Sequence, residues 1–589
     1  MKIIFSILFL FLLLNVFSQN SSNLSCFVEE IDTVSVDKLH RYNYGLDYLS
    51  IGNIGLSGYN LLFNIEDYAN FSPSLIIGDK QFSPKQFDVK MPYTELRYIN
   101  GSKEEQVLRV LHTQNISQLA NFSFGVDKVK SKGFYVNQAS SNNHLYGNMW
   151  ITTKNERHKI ILHIDHERIF NEHNGGILYD SLFEQDLLLN RNRELMDVNL
   201  SFASSTIKRT NFQIEQKLEF SQSFDSLNNG FSNALYVKSL VFKNERIFKD
   251  SVLNMSYYNQ ILIDSLVTND IIRYEGVNGI AGYEFNKRNG KDNLNASTFV
   301  KWQSFNYNQH IIDTIVTCLS VGTNFQFQKK KFRLQLDGHY YLNGYRKKDI
   351  DFKGALKYNF TKNWSFGLRG TYQTISPSLD LRSYYGNNVS WENTFSATDY
   401  LSVSGSLRSD THNADFIVNY NDIFNPVYFN FAGEPQQTKG VSQLIQVTAR
   451  KEFSLKKWVI TPKIVYQYNG GDNIYKLPDY YADLTVGYNS KIHKKNLHVF
   501  IGADLVYYAP TDMMSFQPMV NQYNLDDSKM VGNYPFIDVF LNARIKTVRL
   551  FVKATHVNSG MFGFNYYGAN HYPLKDRTIQ LGLNWVFIN

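Results

Sequence analysis

"IQLGLNWVFIN", residues 579–589, closes the chain, and its alternation decides the fold. Ile579, Leu581, Leu583, Trp585 and Phe587 share one face of an extended strand, with Gln580, Gly582 and Asn584 on the other, because strand side chains alternate with period two. One face is greasy and nothing after it covers it. A strand in hydrocarbon must pair on both edges, since an unpaired backbone group there costs several kcal/mol. A last strand that closes on the first meets that demand and leaves its apolar face to lipid.

The same pattern recurs upstream. "NLHVFIGADLVYYA" sets Leu497, Val499, Ile501, Ala503, Leu505 and Tyr507 against His498, Gly502 and Asp504. "FIDVFLNARI" sets Ile537, Val539 and Leu541 against Asp538, Asn542 and Arg544, and "VRLFVKATHV" sets Val548, Leu550 and Val552 against Arg549 and Lys553. "NWSFGLRGTYQT" sets Trp364, Phe366, Leu368 and Tyr372 against Ser365, Arg369 and Thr371. From about Pro92 onward such segments are separated by Asn, Asp, Gly, Lys and Ser clusters, and they number roughly 22, within a range of about 20–24. Helical periodicity is brief; its best stretch, "DSLFEQDLLLNRN" from Asp180 to Asn192, falls in a long link. Long links, about Asn171–Glu194, Lys243–Asn278 and Pro510–Asn533, alternate with short ones, and aromatic residues sit near segment ends. Both features fit an outer-membrane barrel with tight periplasmic turns, long external loops and aromatic girdles. The expected fold is all-β, a single large antiparallel transmembrane β-barrel.

Composition agrees. The chain carries 39 Tyr and 44 Phe but only 12 Pro, so little interrupts a hydrogen-bonded ladder. A mean hydropathy of −0.32 looks soluble, yet lumen-facing polar residues cancel lipid-facing apolar ones in any average. The net charge of +7 is mild, and the runs Lys329–Lys331, Arg346–Lys348 and Lys494–Lys495 fall in expected turns, so nucleic acid is not expected as a partner.

Residues 1–18 read as a secretory leader: Lys2 precedes an apolar run from Ile3 to Leu14 that is too short to span a bilayer, and Val16 and Ser18 are small-side cleavage positions. Residues 19–89 alternate less regularly, and Gly52, Gly55 and Gly58 suggest turns. This region reads equally as a periplasmic extension, a segment tucked into the lumen, or early strands, with the barrel over 90–589. The two cysteines, Cys26 and Cys318, show no metal-ligand spacing, and a disulfide between them has no support.

Several stretches resemble the putative porin family of Bacteroidota-type outer membranes: "IDTVS" (31–35), "IGNIG" (51–55), "EEQVLRVLHTQN" (104–115), "KGFYVNQ" (132–138), "NGGI" (174–177), "GNYPFIDVFLNARI" (532–545) and "YYGANHYPLKDRTIQLGLNWVF" (566–587). The resemblance implies a large single-domain outer-membrane barrel and a pore, and it carries no catalytic motif. The strand holding Leu581, Leu583, Trp585 and Phe587 also resembles the signal read by the barrel-assembly machinery, an expected partner beside outer-membrane lipid.

If apolar faces meet lipid, the pore-lining set includes Arg333, Asp337, Lys353, Lys357, Arg369, Asp504, Asp538, Arg544, Arg549 and Lys553. Two readings of these charges stand level: a basic-leaning pore with mild anion preference, or groups that pair with one another and select nothing. The expected function is passive diffusion of small hydrophilic solutes, as a monomer or an oligomer; the alternative is a plugged barrel serving as a structural or assembly partner. An energy-driven receptor is disfavoured because no globular plug domain precedes the strands. "HIDHERIFNEHNGG", with His163, Asp165, His166, Glu167, Glu172 and His173, lacks HExxH spacing and reads as a solvated hairpin end. "VSGSLRSD" lacks GxSxG, so no nucleophile can be named; no enzyme activity, metal or cofactor is expected.

Overall fold

The computed structural model describes residues 40–41, 47–64, 86–185, 192–225, 229–492 and 497–588. The leader, Cys26 and "IDTVS" lie outside the described residues. Twenty-two antiparallel strands, Tyr93–Gly101 through Thr578–Ile588, form one closed barrel. Closure is made by the last strand. Thr578–Ile588 pairs on one edge with Val548–Thr555 and on the other with Tyr93–Gly101, in register from Tyr93 opposite Ile588 to Gly101 opposite Gln580.

The expected sidedness of that strand holds. Ile579, Leu581 and Trp585 are exposed on the outer wall, Leu583 and Phe587 share their face, and Gln580, Gly582, Asn584 and Val586 are buried inward. Trp585 and Phe587 stack with ring centroids 4.4 Å apart. Gly582 is fixed by close approach: a Cβ there would stand 1.9 Å from the ring of Phe551 on the neighbouring strand.

The long connections, residues 174–202, 251–267, 376–397, 425–440, 509–535 and 556–577, all leave one end of the barrel. Tracing the strands alternately up and down leaves only turns of a few residues at the other end. The helix Asp180–Glu184 lies in the first of these loops, as expected. The link expected over Lys243–Asn278 shrinks to 251–267, because Gly230–Asp250 and Thr268–Asn289 run on as strands of 21 and 22 residues. Spanning a bilayer takes about 9–11 residues. These strands therefore project well beyond the membrane, where their outer faces turn polar and read as loop in the sequence.

The apolar core sits inside the loop-bearing mouth. Phe248, Ile272 and Tyr307 on strands pack with Leu381, Tyr384 and Trp391 of one loop and Met519 and Val520 of another. Phe134, Ile177, Phe183 and Met196 pack with Met513, Val531, Tyr534 and Tyr566. Elsewhere in the lumen Ile54 packs on Phe500 and Phe540, and Leu49 and Leu61 on Val465 and Tyr508, so the loops and the N-terminal segment both add to the apolar patches of the inner wall.

Candidate functional site

All ten expected pore-lining residues lie on the inward face of their strands. The alternation fixes this: Tyr340, Phe352, Phe366, Leu368, Ile501, Val539, Leu541, Leu550 and Val552 are exposed on the outer wall, one residue out of phase. They form two groups on different walls. Asp504 stands directly across from Asp538, and Arg544 from Arg549; Lys553 Nζ reaches Asp538 at 2.7 Å, and Arg549 donates to Asn584 at 3.2 Å. On the other wall Arg333 faces Lys357, Asp337 faces Lys353, and Ala355 faces Arg369; Lys353 meets Asp351 at 3.3 Å. The first group is mostly buried, whereas Arg333, Lys357 and Arg369 stay exposed.

What buries Asp504 is the chain's own N-terminal region. His40 Nε2 donates to Asp504 Oδ2 at 2.7 Å while its Nδ1 accepts from Asn542 at 2.9 Å, and the ring stacks on Phe540 at 3.5 Å. Burial holds the imidazole below its ordinary pKa, outweighing the Asp504 contact that raises it, so the pair is a hydrogen bond to a neutral ring. Arg41 supplies the charge. It grips Asp483 with two bonds of 3.0 Å and reaches Asp504 and Thr485 at 2.5 Å each. Thr485 also donates to Asp504 at 2.7 Å, leaving that carboxylate fully enclosed.

Further along, the hairpin of Tyr48–Ser50 and Gly58–Asn60 is fixed on both sides. Gln138 donates to the Ile51 carbonyl at 3.0 Å, Asn53 to the Gln138 carbonyl at 2.9 Å, and Ser140 to the Ile54 carbonyl. On the other side Gln467 accepts from the Phe63 amide at 3.0 Å and donates to the Leu61 carbonyl at 2.9 Å, and Gln446 donates to the Phe63 carbonyl at 3.3 Å. Buried polar side chains pay for desolvation only when bonded, and here the inward glutamines find their partners in the backbone of residues 61–63. The sequence carried one signal of this: a barrel wall with several inward amides and acids needs something polar to face.

Loops fold inward at the external mouth. Arg246, buried on the inner wall, donates to the carbonyls of Pro518 at 2.9 Å and Met519 at 2.6 Å, pulling the 509–535 loop inward. Arg193 and Asp576 join two further loops at 2.8 Å. Between loops, Asp180, Glu184, Asp526, Ser528, Lys529, Asn570 and His571 line an external cup of about 520 Å³. Lys529 reaches Asp180 at 2.9 Å and also Glu184, with its ammonium 3.8 Å above the Tyr567 ring. Burial raises the Asp180 carboxyl, but His571 and Lys529 overcome it and leave it below its ordinary value.

The "HIDHERIFNEH" stretch is no hairpin end. It lies in the strand His158–His173, with His163, Asp165 and His173 buried inward and His166 exposed outward. Among the described residues no His, Cys, Asp and Glu cluster suited to a metal is found. Cys318 is buried with a free thiol.

A family model described as a putative porin matches residues 17–589. The chain belongs to that family. Comparison with curated proteins gives no match. Among solved structures it is similar to the FrpB iron transporter from Neisseria meningitidis, with 12% identity, 85% of this chain and 82% of that one covered, and a TM-score of 0.56. It is also similar to the siderophore receptor PirA from Acinetobacter baumannii, with 10% identity, 85% and 81% coverage and a TM-score of 0.58. The ferric-catecholate import receptor Fiu from E. coli K12 gives 11% identity, 86% and 84% coverage and a TM-score of 0.54. At these identities the likeness is one of fold, and this chain is an outer-membrane β-barrel.

The expectation of a passive-diffusion channel with mild anion preference is corrected. The barrels it resembles are described as a transporter and receptors rather than as diffusion pores, and its own residues 40–41 and 47–64 bond to the inner wall where solute would pass. A lumenal segment need not be a globular domain ahead of the strands: residues 40–41 and 47–64 lie directly against the inner wall.

Proposed function

We propose that this protein carries a specific ligand across the outer membrane through a barrel that its own chain keeps closed. Residues 40–41 and 47–64 act as a lumenal plug, and the mouth loops form the external recognition surface. The observation that carries this reading is the Arg41 clamp on Asp483 and Asp504, with His40 beside it, which spans polar inner-wall positions that an open pore would leave to water. The inward charges divide accordingly: Asp504, Asp538 and Lys553 belong to the closed region, while Arg333, Lys357 and Arg369 line the wetter wall. Three carboxylates against Lys529 and His571 suit the external cup to a ligand offering cationic or hydroxyl groups.

Proteoliposome swelling with a size series of neutral sugars tests the reading. The full chain is expected to admit none of them; a swelling rate that falls smoothly with sugar size would overturn it. Iron chelates, the cargo class named for the similar barrels, form the first ligand panel, and stabilisation by a chelate should disappear in Asp180→Asn with Glu184→Gln if the cup's carboxylates are the binding surface.

A further inference from the structure

Above the lipid-facing belt, on the loop-bearing side, one sector of the outer wall carries a row of cations. Cross-strand register puts Lys128 opposite Asn143, Asn143 opposite Arg168, Arg168 opposite Lys208, Lys208 opposite Glu245 and Glu245 opposite Arg273. All point outward. The alternation is fixed by Ile164, Phe212 and Val241, which lie on the same outer faces four residues nearer the membrane and are 56%, 46% and 50% exposed. Polar and apolar faces therefore meet within two rows, and six neighbouring strands at about 4.8 Å spacing make the row roughly 24 Å wide.

The row is unbalanced. Glu245 is shared, with Lys208 at 2.9 Å and Arg273 at 2.7 Å. Arg168 stands directly opposite Lys208 and makes no ion pair among the described residues; Lys128, opposite Asn143, makes none among them either. Like charges directly opposite on paired strands are destabilising, so the arrangement calls for anions from outside the protein. The opposite side of the wall differs. At the equivalent external level the strands Thr398–Ser409 and Ala414–Phe424 present Asp399, Leu401, Tyr420 and Asp422 outward.

We propose that this sector binds the phosphorylated headgroups of outer-leaflet glycolipids. Cations just above an apolar belt neutralise headgroup phosphates while the acyl chains lie on the apolar rows below, and each added Lys or Arg near such a surface strengthens attraction by a roughly constant step. Arg168 and Lys208 take the phosphate, Arg168 through its planar fork. The sector would thus orient the barrel's lipid annulus, holding a defined lipid on one side only.

The test uses the folded full chain in detergent, with diphosphoryl lipid A as probe and bound lipid counted by native mass spectrometry. Arg168→Gln with Lys208→Gln is expected to weaken binding roughly 30-fold, from about a kcal/mol per cation, whereas Asp399→Asn with Asp422→Asn leaves it unchanged. Dephosphorylated lipid A should not bind, and millimolar inorganic phosphate should not compete, which separates a lipid site from a free-phosphate site. Equal binding by the Arg168/Lys208 variant, with its heat-modifiable barrel intact, would overturn the proposal, as would equal binding of the dephosphorylated lipid.

Discussion

Asp504→Ala should release the N-terminal stretch from the wall. The carboxylate is fully enclosed and accepts from His40, Arg41 and Thr485. Removing one partner of a buried charged pair costs about 3–5 kcal/mol. The lower figure applies here, because Arg41 keeps its two bonds to Asp483 and its side chain is 31% exposed, so water recovers part of the loss. About 3 kcal/mol is a change of roughly 100-fold in the released population. Arg41 is itself a trypsin site, and its cleavage needs release from the wall. With opening fast relative to cleavage, proteolysis tracks that population, so the Arg41–Tyr42 bond should be cut roughly 100-fold faster in Asp504→Ala, read by mass spectrometry of the new N-terminus. Equal cutting rates in the two proteins, with both barrels intact, would refute the clamp.

Other perturbations probe closure and the loops. Gly582→Ala sets a methyl against the Phe551 ring and should cost about 1–3 kcal/mol as overpacking, lowering the temperature of the heat-modifiable transition on gels; Phe551→Leu in the same chain should restore it. Leu583→Arg puts a charge on the lipid face of the closing strand and should cost up to about 2–4 kcal/mol if it lies near the bilayer midplane, seen as slower folding into vesicles, whereas Asn584→Gln on the inner face should leave that rate nearly unchanged. Burial raises the Asp576 carboxyl, but Arg193 and Tyr566 outweigh it and hold it below its ordinary value. A depressed folded pKa gives stability that is full above the unfolded value of about 3.9 and lost as pH falls through the folded one. Acid-stable protease nicking of the 556–577 loop should therefore rise only below about pH 4, and Asp576→Asn should nick at neutral pH.

The barrel was legible because its constraint is local. Lipid on one side and polar interior on the other impose period two on every strand, so the faces of Leu581 and Trp585, and of Asp504, Asp538 and Lys553, could be assigned from alternation alone. Loop lengths were less so: beyond the membrane, strands such as Gly230–Asp250 carry Lys243, Glu245 and Lys249 on their outer faces, and the apolar half of the pattern vanishes although the ladder continues. That residues 40–41 and 47–64 lie in the lumen was one of three readings left open, and their partners were not legible. Their placement depends on contacts between residues separated by several hundred positions, such as His40 with Asp504 or Phe63 with Gln467, and no periodicity encodes a partner at that distance. The same long-range contacts undid the diffusion-pore reading, since an inward charge looks alike in sequence whether water or a second segment faces it.

Single-channel conductance of the refolded full-length protein in a planar bilayer, beside a variant lacking residues 40–64, tests the closed-barrel account most directly. The account predicts a folded full chain that is electrically silent and a shortened chain that shows discrete openings. Steady nanosiemens-scale conductance from the full chain would contradict it.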